Sequence, residues 1–436
     1  MILILLFGFL LPPLAQAQEP LTLTLDSAVE LGLKQNLDVA LAGQRLGTLQ
    51  SYYRQALAAV IPDINLTGTW NRNFENPSFF LMGTKLQSGK LNSVRGIASA
   101  EQIIYSGGVV SSGIKATKTG IAAGENDLRT AKAEVTLAVK KLFYSVFLAS
   151  ETTNIQADTL ASSEDHLKTI QERYRQGLDS DLIVLRQQVE VSNNRPILIM
   201  ARNQYELTNI LLKDTLGLDV DAPVLLVGRL EPPKGALPAY DELQRRALES
   251  NPDYQASLQR IRQAEAMVRV AKGLNHPQLS LYADYQWYSE SDKMRPGPNE
   301  QATSSLGGLR LRYPFFTGGD LLERVRQARI GERTARTQSE KFLRAVRVEV
   351  KRAWLTAQEA AERVQSQSDA VGQARRALES TENRYKEGHS SQLELTDATL
   401  ALLKARLLYA QALYDYRVQL AALERAVGSP IEEAVR

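Results

Sequence analysis

Two long stretches of the chain hold a hydrophobic repeat of 3.5 residues. Val346, Val350, Ala353, Ala357, Ala360, Val364, Val371, Ala374 and Leu378 follow a 4-3-4-3 spacing, and Val135, Val139, Leu142, Val146, Ala149, Leu160 and Leu167 occupy equivalent positions upstream. Such a seam predicts coiled-coil packing, and its many alanines predict close approach of the helices. No proline interrupts residues 109–177 or 320–388. Each is predicted as one continuous helix, roughly 100 Å long at 1.5 Å per residue. A second pattern has period two. Leu279, Leu281, Ala283, Tyr285 and Trp287 alternate with Ser280, Tyr282, Asp284, Gln286 and Tyr288. Ile64, Leu66 and Trp70 alternate with Asn65, Thr67, Thr69 and Asn71. Leu309, Leu311, Tyr313 and Phe315 alternate with Gly308, Arg310 and Arg312. Strands are predicted near 63–74, 94–105, 278–288 and 305–316, the one at 94–105 broken by adjacent Glu101 and Gln102. About ten alternating residues with aromatic ends (Trp70, Trp287, Tyr288, Phe315, Phe316) match a tilted membrane-crossing strand. The intervening loops near 75–92 and 289–304 read as polar.

The patterns occur twice. Asn36 and Asn251, each inside a helical pattern, are 215 residues apart, as are Pro62 and Pro277. Ser106-Gly107-Gly108 and Thr317-Gly318-Gly319 are 211 apart, as are Tyr174-Arg175-Gln176-Gly177 and Tyr385-Lys386-Glu387-Gly388. A run of matches at one spacing marks an internal duplication. The first copy, 18–217, reads as a helix, strands near 63–74 and 94–105, a long helix 109–177 and a helix 180–217. The second, 239–436, reads as a helix, strands near 278–288 and 305–316, a long helix 320–388 and a helix 391–427. The proline-rich segment 218–238 links them, with one short strand around Val224–Val227. Asp26 is the expected N-cap of the first helix, with Ser27 and Glu30 as a capping box, and that helix is expected to run to about Pro62. Pro196 is expected to kink or break the helix that holds it.

Composition narrows the classes. At 44% hydrophobic and 23% charged, the chain is not a disordered one. The net charge is +3, with no basic stripe or tail to mark a nucleic-acid partner. There is no cysteine, so no disulfide framework, thiolate metal site or lipid-modified cysteine. Met1 to Leu14 is almost wholly apolar and ends in Pro12-Pro13, and Ala15-Gln16-Ala17 follows as a small-x-small site. Residues 1–17 are therefore expected to be a signal peptide, although no Lys or Arg follows Met1. No later stretch is apolar enough to span a bilayer as a helix, so a membrane role falls to strands or surface. Four strands cannot close a barrel, and lipid does not tolerate an open sheet edge. His166, His276 and His389 lie scattered without ligand spacing, and neither Gly-Gly pair is followed by Gly-Lys-Ser/Thr. No enzyme and no cofactor is expected. The helices alone equally suit a soluble coiled-coil rod, and a periplasmic adaptor or scaffold is the alternative reading.

The duplicated Asn, Pro and Gly-Gly positions and the paired Tyr-x-x-Gly segments make the mature chain resemble the TolC-type outer-membrane efflux protein family. The resemblance implies an α+β membrane protein: a homotrimer whose four strands per protomer close a 12-stranded β-barrel in outer-membrane lipid, continued by a periplasmic coiled-coil tunnel. It implies a passive exit duct of a tripartite efflux or type I secretion system, driven by an inner-membrane transporter and a periplasmic adaptor. Gly177 and Gly388, with Arg173, Tyr174 and Arg384, fall at the tips that meet the adaptor in similar proteins. Glu394 and Asp397 match the acidic residues of the narrowest ring in similar channels, and Tyr385 falls beside them. Glu394 has a second reading as the partner of Ser391 in a capping box. Asp397 lies beyond the first turn, where the helix dipole matters little. Where other members carry a Thr-Asp pair after the first-copy glycine, this chain has Leu182 and Ile183.

Overall fold

The structure is a computed structural model that describes residues 21–75, 78–233, 235–294 and 297–431. The expected signal peptide at 1–17 lies outside the described residues. The chain divides into two compact units, one of Met1–Ala40, Ala131–Ala247 and Glu349–Arg436, the other of Leu41–Thr130 and Leu248–Val348.

The first copy opens with strand β1 (Leu21–Leu23) and then two helices, α1 (Leu25–Gln35) and α2 (Leu37–Ala58), where one was expected. The break falls at Asn36, whose backbone is extended. Its side-chain amide donates to the Thr215 carbonyl at 3.0 Å and its Oδ1 accepts from the Asp38 N–H at 2.9 Å, so the break is hydrogen-bonded on both sides. The N-cap is Thr24, not Asp26. Its hydroxyl accepts from the Ser27 N–H, and the Ser27 hydroxyl closes the box, leaving Glu30 to pair with Lys34 at 2.7 Å. The cap sits there because β1 pairs in parallel with β6 (Val224–Leu226) of the linker, which keeps the chain extended through Leu23. The second copy repeats the helix pair as α5 (Tyr240–Ser250) and α6 (Pro252–Gly273). Here Asn251 caps α6, its Oδ1 accepting from the Tyr254 N–H at 3.1 Å.

The strands form one antiparallel sheet in the order β2 (Asp63–Arg72), β5 (Asn92–Tyr105), β7 (Gln278–Ser291), β8 (Gln301–Arg312). β8 starts and stops earlier than the predicted 305–316. Pro314 has no N–H to continue the ladder, and the β7 partner strand begins at Gln278, opposite Arg312. The register decides the chemistry of the two faces, because residues paired across a ladder point the same way. Ile64 pairs Ala100 and Leu66 pairs Ala98; these pair Ala283 and Tyr285 in turn; Leu281 and Leu279 pair Leu309 and Leu311. One face is thus apolar across all four strands. The other carries Asn65, Thr67, Ser99, Asp284, Gln286 and Arg310, with Arg310 bound to Glu101 at 3.1 Å and lying over the Tyr282 ring. Within the chain the apolar face is bare: Ile64, Leu66, Leu309 and Leu311 are 65–84% exposed. The segment after β2 is not wholly a polar loop. It folds into a hairpin of β3 (Ser78–Leu81) and β4 (Thr84–Gln87). Its two-residue turn, Met82-Gly83, has φ of +50° and +84°, as a tight hairpin turn requires. A short 3-10 turn, Pro298–Glu300, lies in the other loop.

Helices of 67 residues follow each strand pair: α3 (Val109–Arg175) and α7 (Asp320–Lys386). Each is followed by a 36-residue helix, α4 (Asp181–Leu216) and α8 (Gln392–Val427). The long helices stop two residues before Gly177 and Gly388, which lie in the turns. Pro196 lies inside α4 and does not end it, so of the expected kink or break the break is absent; Val191 and Leu198 on either side of it are buried. The α7 seam is buried from Val346 to Val364. In α3, Phe143 at 2% exposure takes the place expected for Leu142, which is half-buried.

The strand-to-helix corners use their glycines differently. Gly107 has φ +62°, and a Cβ there would lie 2.4 Å from His276 Cβ and 2.6 Å from the Gly273 carbonyl; Gly318 has φ +61° with open space around it. Gly318→Ala should cost about 1–3 kcal/mol from backbone strain alone. Gly107→Ala adds overpacking of similar size, so its thermal midpoint in detergent should fall further. Equal midpoints would show that the His276 corner yields freely.

Candidate functional site

The two helical turns are built alike. Gly177 (φ +78°) donates its N–H to the Tyr174 carbonyl at 2.9 Å, and the Leu178 N–H reaches the Arg173 carbonyl at 2.9 Å. Gly388 (φ +81°) donates to Tyr385 at 3.0 Å, and His389 to Arg384 at 2.8 Å. The left-handed glycine lets both N–H groups satisfy carbonyls left over at the helix end. A Cβ at either glycine would meet nothing within 4 Å, so both turns face open space. Tyr174 is 47% exposed, and Arg384 donates to the His389 carbonyl within its own turn.

Side chains join the two turns. Arg173 Nε donates to Asp179 Oδ2 at 2.9 Å, and the Asp179 side chain is only 8% exposed. The same guanidinium lies 5.4 Å from the centroid of the Tyr385 ring, a cation-π distance. Tyr385 is buried, and its hydroxyl has no hydrogen-bond partner among the described residues. Burial raises its pKa most, the Asp179 charge adds to this, and Arg173 opposes it. Deeper, Gln392 Nε2 donates to Gln187 Oε1 at 2.9 Å, and buried Gln187 donates to the Ser163 carbonyl at 3.1 Å. Arg173 and Tyr385 were singled out by the sequence; Asp179, Gln187 and Gln392 were not. Asp179, two residues past Gly177, was the legible signal, since an acid so placed can fold back on the Arg of the preceding turn. An acidic group therefore stands at the first-copy tip although Leu182 and Ile183 occupy the positions of the Thr-Asp pair.

Glu394 and Asp397 differ in their surroundings. Ser391 caps α8, its hydroxyl accepting from the Glu394 N–H at 3.3 Å. Glu394 Oε2 accepts from the Ser391 N–H at 3.1 Å and from the Ser390 hydroxyl. The Ser390 hydrogen bond, then the Ser391 N–H, hold its pKa below the ordinary value of 4.5. A depressed folded pKa stabilises the helix start above the ordinary glutamate range, and that contribution is lost as pH falls through the lowered value. Asp397 is exposed, with no hydrogen bond or ion pair among the described residues. Among the described residues, no group of three His, Cys, Asp or Glu could hold a metal ion, and no helix is long and apolar enough to cross a membrane.

A duplicated chain with a two-faced four-stranded sheet and paired 67-residue helices matches known outer-membrane channels. The Outer membrane efflux protein family matches residues 28–218 and 243–429, once per copy. The chain is 22% identical to "Outer membrane protein TolC" of Vibrio cholerae over 381 residues, covering 87% of this chain and 84% of that protein. It is 23% identical to "Pyoverdine export outer membrane protein OpmQ" of Pseudomonas putida over 403 residues, covering 88% and 81%. The crystal structure of the outer membrane protein VceC from Vibrio cholerae superposes with a TM-score of 0.77 at 19% identity, over 94% of this chain and 97% of that one. The Campylobacter jejuni CmeC outer membrane channel superposes at 0.79 and 18% identity, over 94% and 86%. The chain belongs to the Outer membrane efflux protein family and is an outer-membrane protein.

Proposed function

We propose that three copies of the chain close a 12-stranded barrel and form the exit duct of a tripartite efflux or type I secretion system, with a periplasmic adaptor and an inner-membrane transporter as partners. The observation that carries this reading is the register-aligned apolar face on a sheet whose edge strands, β2 and β8, have no partner on their outer sides among the described residues. Burying apolar surface is worth about 25 cal/mol per Å², so four strands of exposed Ile, Leu, Tyr and Trp belong against lipid. The polar face then lines a wet lumen. Lipid leaves no unpaired edge, so β8 of one copy must meet β2 of the next. A soluble adaptor or scaffold would leave the same face in water. The test is mass measurement in detergent: three chains are expected, and a monomer or dimer overturns the assembly.

Arg173, Asp179 and Tyr385 hold the paired turns together. Asp179→Ala removes a charge-assisted hydrogen bond worth about 1.5–3 kcal/mol and leaves Arg173 beside an unpartnered phenol. Single-channel conductance in planar bilayers should rise. Conductance equal to wild type would show that this contact does not restrain the turns.

A further inference from the structure

The helical segments of the sheet-bearing unit are strongly basic. Residues 41–62, 106–130, 252–277 and 317–348 hold 17 Lys and Arg against 8 Asp and Glu, a net of +9 in a chain whose total is +3. Part of that excess borders one groove of about 960 Å³ between α6 and α7, lined by Val268, Lys272 and His276 on one side and by Leu322, Arg329 and Arg333 on the other. The acids in its wall are already engaged: Glu323 binds Arg326 at 2.8 Å and Glu332 binds Arg336 at 2.8 Å. Lys272, Arg329 and Arg333 are exposed and make no ion pair or side-chain hydrogen bond among the described residues. α2 cannot supply the missing charge from a neighbouring copy, because beyond Asp38 it carries only Arg45 and Arg54. Three unpaired cations around one groove repel one another and attract an anion. Two are arginines, whose planar forks fit phosphate bidentately.

We propose that this groove is a binding site for phosphate-bearing anions, either the headgroup of an anionic phospholipid or a free phosphate. Its place in the unit suits a headgroup, and that part rests on the reading of the sheet as lipid-facing. His276 also lines a second groove, with Gln278 at the start of β7 and Arg312 at the end of β8. Directly beyond Arg312, Tyr313, Phe315 and Phe316 are 55–89% exposed, as aromatics at a membrane boundary are. The groove therefore opens next to the edge of the apolar face. Leu322, 71% exposed, and Val268 at its wall suit the carbon chain of a lipid.

The test uses the full chain purified in detergent, with inorganic phosphate by calorimetry and short-chain phosphatidylglycerol or phosphatidylcholine by native mass spectrometry. Phosphatidylglycerol is expected to bind at least tenfold more tightly than phosphatidylcholine, and more weakly as salt is raised. Combined Lys272→Gln, Arg329→Gln and Arg333→Gln should lower that affinity by about tenfold or more, since each charge-assisted bond is worth that much. Arg329→Lys with Arg333→Lys should retain part of it. Arg344→Gln, whose arginine is paired with Glu340 within its own helix, should bind as wild type. Binding of phosphatidylglycerol without inorganic phosphate identifies a headgroup site, and binding of phosphate alone a solute site. The proposal is overturned if neither phosphate nor phosphatidylglycerol binds, if both lipids bind and do so equally, or if the triple variant binds as wild type. Oligomer mass read in the same spectra keeps a failure of assembly distinct from a failure of binding.

Discussion

Gly388→Trp is expected to abolish export while leaving the protein assembled in the outer membrane. A Cβ at Gly388 would meet nothing within 4 Å, so an indole there has room to project from the turn. The left-handed backbone at φ +81° costs about 1–3 kcal/mol for a residue with a Cβ. That strain acts locally, in a turn held by two backbone hydrogen bonds, and leaves the α7 seam and the sheet untouched. The expected loss follows if the proposed adaptor fits against this turn. Gly388→Ala carries the same backbone strain without the bulk and separates the two effects. Export is measured in cells lacking the native gene, beside immunoblots of the membrane fraction. Normal export by Gly388→Trp would remove the tip from the docking surface. Loss in both variants would assign the effect to strain.

Asp397→Asn is expected to abolish cation preference and sensitivity to trivalent cations in planar-bilayer recordings. Three chains would bring three exposed, unpartnered Asp397 carboxylates around one axis. Crowded like charges draw multivalent cations. Glu394 stands three residues earlier on the same face of α8, but its carboxylate is turned back to Ser390 and the Ser391 N–H. Glu394→Gln keeps a hydrogen-bond acceptor there and should alter selectivity less, while loosening the helix start. Unchanged selectivity in Asp397→Asn, alone and combined with Glu394→Gln, would falsify the acidic ring. The reverse ranking would mean that the α8 cap opens in the assembled channel.

The elements that reading the chain located are those whose signal is local. The α7 seam repeats every 3.5 residues because each residue's position on a helix depends on its neighbours alone. The alternation in β7 is visible for the same reason. The duplication lay open because both copies keep Asn, Pro and Gly at corners where the backbone turns. Locality also explains the misses. Thr24 rather than Asp26 caps α1 because β1 finds a strand 203 residues away in the linker. The Met82-Gly83 hairpin lacks the Asn-Gly or Asp-Gly sequence that usually announces such a turn.

What the chain by itself determined is therefore the list of parts: two copies, strands of the right length, helices too long for a globular core, and acids and glycines at the turns. Tertiary structure decided which parts meet. It aligned the apolar positions of four strands on one face, through a register that each strand read alone does not specify. It placed Arg173 of one turn over Tyr385 of the other, 212 positions along the chain, with Asp179 as the anchor. It set Lys272 of α6 beside Arg329 and Arg333 of α7, leaving three cations around one groove. Periodicity is a property of a segment. Pairing depends on which segments the fold brings together, and on which charges remain unmatched once it has.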